Sequence, residues 1–222
     1  MSWSEYWNSN SFINLKILEK WSDYYYKALA ELNILRADDI VLDYGAGTGV
    51  IAGFISDQVQ SVLAYDNSES MNIVCIKNML KYENVSCSTE LNTNQNTTFI
   101  LINSVLQYIN LDELKELVRF ASIETQANRM IISDVIPDEY NPYEDAMHNL
   151  YYAMKNHFFI IYLLFLIKEC IIRILPNKGF IWNKYNKYFL ISELEKFGWV
   201  VEPISNLSPS VNRYSLSCSR NL

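Results

Sequence analysis

Val41-Leu42-Asp43-Tyr44-Gly45-Ala46-Gly47-Thr48-Gly49 is the stretch from which the rest of the chain can be read. The apolar run Ile40-Val41-Leu42 has the length and branching of a buried strand and ends in an acid, Asp43. A turn with glycine at alternate positions follows, then an apolar helix start, Val50-Ile51-Ala52. Glycine lets the backbone turn tightly and approach a ligand with no Cβ in the way. A helix beginning just past the turn offers backbone N–H groups and the positive end of its dipole. Strand, acid, glycine turn and helix in that order predict a nucleotide-like ligand.

Two familiar glycine turns do not fit. A phosphate loop needs a Lys after its last glycine, and Val50 follows Gly49. The dinucleotide fingerprint G-x-G-x-x-G/A, read from Gly45, meets Val50 where its third small residue belongs. The observed pattern is acid-x-G-x-G-x-G. A second strand, Ser61-Val62-Leu63-Ala64-Tyr65, ends in Asp66, 17 residues after Gly49. A carboxylate at that tip can accept both hydroxyls of a ribose. Asn67-Ser68-Glu69-Ser70-Met71 follows, with Ser68 or Ser70 placed to cap a helix. Alone, the turn could be a plain strand-to-helix connection and Asp66 a solvated strand end; together they point to a nucleoside cofactor.

These two motifs resemble those of class I S-adenosylmethionine (SAM)-dependent methyltransferases. The resemblance implies a cofactor site made of Asp43, Gly45, Ala46, Gly47, Gly49, Asp66, Asn67 and Met71, with the glycine turn against the methionine part of SAM and Asp43 near its amino acid end. Asn103-Ser104-Val105-Leu106-Gln107-Tyr108-Ile109, after the apolar run 99–102, is similar to the family's fourth motif and adds Asn103 and Ser104. Many relatives have an acid after the third strand, near the adenine amino group; here Ser88, Thr89, Glu90 or backbone must serve.

Working outward, residues 11–33 carry apolar positions at helical spacing. They predict an N-terminal helical cap over about 1–35, in which Tyr6 and Trp7 are candidates to cover the cofactor. Strands alternate with helices through Met130–Pro137. Near the end, Ser192 and Glu195 suggest a capping box, and Asn212–Cys218 alternates as a final strand. The pattern predicts an α/β fold with a doubly wound, mostly parallel sheet. The resemblance, covering roughly 36–137 and 188–220, supplies the seven-stranded order. One domain over 1–222 is expected.

Residues 138–187 form an insertion too long for a simple connection, and they predict a helical lid over the acceptor. Phe158–Ile167 is ten unbroken apolar residues, too short to span a bilayer. Residues 151–190 hold six of the 18 basic residues (Lys155, Lys168, Arg173, Lys178, Lys184 and Lys187) and one of the 25 acidic ones, Glu169. A basic, apolar segment on a chain of net charge −7 suggests peripheral contact with an anionic membrane, a phosphorylated or lipid-linked substrate, or a homodimer through 155–178. An ordinary lid with solvated lysines remains open beside these.

The acidic balance argues against nucleic-acid binding. Cys75, Cys87, Cys170 and Cys218 form no CxxC pair, which predicts reduced thiols in a cytoplasmic protein. The ionisable groups suggest a metal-independent transfer. His148, with Asp145 one helical turn before it, could serve as an oriented base, and Asp134 ends the fifth strand near the expected methyl position. These readings lead to methyl transfer from SAM, leaving S-adenosylhomocysteine (SAH), to a small-molecule hydroxyl such as a sugar, glycan or lipid-linked intermediate. An amine acceptor is a further reading. A non-catalytic SAM-binding partner protein is the alternative of a different class.

Overall fold

The computed structural model describes residues 12–91, 96–174 and 182–220. Tyr6 and Trp7 lie outside them. The elements run α1 (Phe12–Glu31), β1 (Ile40–Tyr44), α2 (Val50–Ile55), β2 (Ser61–Tyr65), α3 (Glu69–Met79), β3 (Val85–Ser88), β4 (Phe99–Asn103), α4 (Leu111–Arg119), β5 (Arg129–Val135), α5 (Pro142–Lys155), α6 (Phe159–Ile174), α7 (Lys187–Glu195), β6 (Val200–Ile204) and β7 (Tyr214–Ser219). The seven strands form one sheet in the order β3-β2-β1-β4-β5-β7-β6. Strands β3 to β5 pair in parallel, and β7 runs antiparallel to both its neighbours. The chain winds outward in both directions from β1 and β4, so their carboxyl ends frame the crevice where open α/β sheets bind ligands.

Alternation along the strands builds the two faces. Leu42, Ile100, Ile102, Met130 and Ile132 pack with Leu114 and Leu117 of α4 and Leu190 and Leu194 of α7. Val41, Val62, Phe99, Leu101 and Ile131 point the other way, onto Tyr25 and Leu29 of α1 and Ile51 and Ile55 of α2. The cap and the insertion, distinct in sequence, share a third cluster in which Ile17 meets Ala153, Phe158 and Tyr162. Trp21 sits edge-on to Tyr162 and Phe165, at 6.4 and 5.8 Å between ring centres. Among the described residues, no helix is long and apolar enough to cross a membrane.

Two expectations are corrected. Asn186, not Ser192, caps α7 by accepting from the N–H groups of Tyr188 and Phe189, which leaves Ser192 and Glu195 in the helix's second half. Cys75 of α3 and Cys87 of β3 pair as a disulfide, while Cys170 and Cys218 are free. Spacing could not reveal that pairing: the tight return from α3 into β3 brings the two Cα atoms to 6.3 Å.

Candidate active site

Glycine turn and second strand are tied into one unit. Gly45, Gly47 and Gly49 all have positive φ (77°, 56° and 75°), a region where a Cβ is strained. The N–H groups of Gly45 and Ala46 both donate to the Tyr65 carbonyl at 2.8 Å. The Gly47 N–H donates to Asp66 Oδ2 at 2.8 Å, and the Ser68 N–H to Asp66 Oδ1 at 2.9 Å. The N–H groups expected to await a ligand at the helix start are therefore partly used internally, and α2 is only six residues long. Ser68 is the cap of α3, accepting from the Met71 N–H.

A Cβ on Gly45 would lie 2.4 Å from Val105 Cγ2, and one on Gly49 would lie 2.7 Å from Cys75 Sγ. Gly47 has nothing within 4 Å. Gly45 and Gly49 thus serve close packing, whereas Gly47 leaves open space on the ligand side. Beneath the turn, Asp43 is fully buried and its Oδ2 has no hydrogen-bond partner. Burial, then the nearby Asp66 charge, pushes its carboxyl up to about 7. An unpartnered buried carboxylate beside an open glycine cradle fits a ligand that brings an ammonium group, and Asp66 at the next strand tip fits a ribose. These residues suit SAM.

They line a cavity of about 790 Å³, within the range of small-molecule sites. Asp43, Gly45, Ala46, Gly47, Asp66, Asn67, Met71, Asn103 and Ser104 all face it; Gly49 stands behind the turn. The third-strand segment reaches the cavity through Leu91, and none of Ser88, Thr89 and Glu90 does. Ser88 instead closes a local turn with Glu90.

The cavity's other part is organised by Arg213, buried between β6 and β7. It forms a two-pronged pair with Asp145, Nε to Oδ1 and Nη2 to Oδ2, both at 3.1 Å. Its Nη1 donates to Asp134 Oδ2 at 2.8 Å and to Gln107 Oε1 at 3.1 Å. Tyr140 donates to Asp145 Oδ2 at 2.8 Å, and the guanidinium lies near the Tyr140 and Trp182 rings. Burial would raise the Asp145 pKa, but the Arg213 charge and hydrogen bonds hold it below the ordinary carboxylate range. Ser104 donates to Asp134 Oδ2 at 2.5 Å. Ser104 and Asp134 both hold positive φ, 58° and 61°, so two strained strand ends meet in the cavity wall.

The structure does not assemble the expected Asp145–His148 base. Both Asp145 oxygens are taken by Arg213 and Tyr140, and His148 Nδ1 has no partner. His148 is not among the cavity-lining residues. A helical offset of three put the two residues on one face, but Arg213, 68 positions on, claims the acid. Arg213, Gln107, Tyr25 and Trp182 are site residues that sequence reading missed. Asp134 does face the cavity.

No family model matches the chain, and no curated protein does. Solved structures do. Magnesium protoporphyrin IX methyltransferase (ChlM) from Synechocystis PCC 6803 with bound SAH is 15% identical, over 96% of this chain and 89% of that one, with a TM-score of 0.60. The DhpI–SAH complex is 14% identical over 91% and 96%, with a TM-score of 0.59. The pyocyanin biosynthetic protein PhzM is 13% identical over 90% and 55%, with a TM-score of 0.60. At these identities the likeness concerns architecture, and with the strand order it establishes that this chain has the class I SAM-dependent methyltransferase fold.

Proposed function

We propose that the protein is a SAM-dependent methyltransferase acting on a small-molecule acceptor. The observation that carries this reading is the buried, unpartnered carboxylate of Asp43 beneath a glycine cradle that is open only at Gly47. Bound SAM supplies a methyl group on a positively charged sulfur. The protein's part is to hold and align. Asp43 receives the ammonium, Asp66 the ribose, and Asn103 and Ser104 close the site from the fourth strand. The joined cap and insertion wall one side of the cavity with Trp21, Tyr162 and Phe165. Of the two bases the sequence offered for a hydroxyl acceptor, Asp134 lines the cavity and His148 does not. The fold neighbours crystallised with SAH support an enzyme over a non-catalytic partner protein. Calorimetric titration with SAH tests the reading: micromolar binding, weakened in Asp66→Asn, is expected. Failure of both SAM and SAH to bind would leave the non-catalytic alternative.

The exposed side of α6 carries a second proposal. Ile160, Leu163, Leu164, Ile167 and Ile171 stand in solvent, next to the exposed Met154 and Tyr151 at the end of α5. Lys155 lies over the Tyr151 ring, and Lys168 is on α6 itself. An apolar face bordered by lysines on an otherwise acidic chain matches an anionic bilayer surface. Co-sedimentation with phosphatidylglycerol vesicles, lost in Ile160→Glu/Leu164→Glu, is the expected result; absence of vesicle binding with a concentration-dependent dimer would assign the face to a second copy instead.

A further inference from the structure

Of the basic residues that made 151–190 look suited to a phosphorylated acceptor, none lines the cavity among the described residues. The one guanidinium at the acceptor end, Arg213, is shared between two carboxylates. At this cluster one guanidinium therefore stands against two largely buried carboxylates, Asp134 and Asp145. Asp134 Oδ2 takes hydrogen bonds from Ser104 and Arg213, and the residue lines the cavity. Tyr25 lines the same cavity; it is 1% exposed, and the Ser133 side chain lies beside its hydroxyl. The walls between these groups are aromatic, with Tyr162, Phe165 and Trp182 on the lid side.

From these observations we infer that the acceptor is an amine, whose N–H groups are taken by the Asp134 carboxylate and the Tyr25 hydroxyl oxygen and whose positive charge is held between the aromatic walls. The inference rests on the SAM reading above and narrows its acceptor. An excess buried carboxylate favours a cation and repels phosphate or carboxylate groups. Aromatic faces add cation–π attraction. The chemistry agrees. A hydroxyl must lose its proton as it is methylated, which would leave Asp134, already holding hydrogen bonds from Ser104 and Arg213, to take it. An amine needs no base in the bond-forming step. An ammonium first gives one proton to water. The nitrogen lone pair then forms the N–C bond as the C–S bond breaks with its electrons moving to sulfur. The product carries its charge on nitrogen, where the second N–H can again be accepted by Asp134. Charge is conserved throughout: the positive charge lost at sulfur appears at nitrogen.

Calorimetry on the SAH-saturated protein tests this with three probes of one shape: 2-phenylethylamine, 2-phenylethanol and 2-phenylethyl phosphate. The amine is expected to bind at least ~10-fold more tightly than the alcohol, as a charge-assisted hydrogen bond provides, with the phosphate weakest. Asp134→Asn should lower amine affinity by a similar factor and leave SAH affinity within about two-fold. Alcohol or phosphate binding equal to or tighter than the amine overturns the inference, and so does failure of all three to bind. Should Asp134→Asn not fold, the wild-type ranking decides by itself. SAH binding without amine preference defeats the amine assignment alone, whereas loss of SAH binding defeats the SAM reading.

Discussion

Two buried acids in the same cavity have opposite fates. Asp43, beneath the glycine turn, has no cation near it, and burial pushes its carboxyl up to about 7. Asp145, on the insertion, is gripped by Arg213 and held below the ordinary carboxylate range despite its burial. The first is an incomplete arrangement that only a ligand's positive group completes. The second is complete within the protein and fixes the insertion to the β6–β7 segment. The difference separates what binds from what builds: a carboxylate that already has its cation is part of the frame, and one without it is part of the site.

Removing the cation from the complete arrangement gives the largest expected effect. Arg213→Met leaves Asp134 and Asp145 facing each other in a buried space, and loss of one partner of a buried pair costs about 3–5 kcal/mol. Urea unfolding should show a loss of that order, with Arg213→Lys recovering only part because an ammonium cannot hold Asp145 with two prongs. A loss below about 1 kcal/mol would mean that the pair does not hold the frame.

Neutralising the incomplete arrangement should act the other way on stability. Asp43 in the folded chain keeps a proton that the unfolded chain has already released, so wild-type stability falls as pH rises from about 4 to about 7. Asp43→Asn removes that loss. Without ligand, the variant should melt at a higher temperature than wild type at pH 8 and close to it at pH 4, while SAH affinity drops roughly 10- to 100-fold. Equal melting temperatures at pH 8 would show that Asp43 has a partner in solution. A smaller effect is expected at Gly47, where φ is 56° and no neighbour lies within 4 Å. Gly47→Ala should cost ~1 kcal/mol of stability and weaken SAH binding. Gly45→Ala, whose Cβ meets Val105, should lose more stability than that.

The sheet and the cofactor part were legible because short-range rules write them. Strand periodicity, an acid at a strand tip and glycines at positive φ are local features, and Asp43, Gly45, Gly47 and Asp66 follow from neighbours in sequence. The acceptor part is made by contacts between distant segments. Asp145 meets Arg213 across 68 positions, and Asp134 meets it across 79. No local pattern announces which of several acids a distant arginine will take. The Cys75–Cys87 pairing escaped for the same reason, since it depends on how α3 returns into β3.

The smallest effect is expected at His148, and it bears on the comparison because it asks whether the insertion contributes chemistry or only enclosure. An acid three residues before a histidine on a helix ordinarily orients it. Here the acid is committed to Arg213 and Tyr140, and the imidazole stays outside the cavity. His148→Gln should therefore change methyl transfer by less than about two-fold and leave the pH profile in place, whichever acceptor is used. A loss of about 100-fold, with the acidic limb of the profile removed, would instead mean that α5 turns His148 inward when the acceptor binds. Asp145 would then have to release Arg213 to orient the imidazole, and the arrangement that looks complete would be the part of the protein that moves.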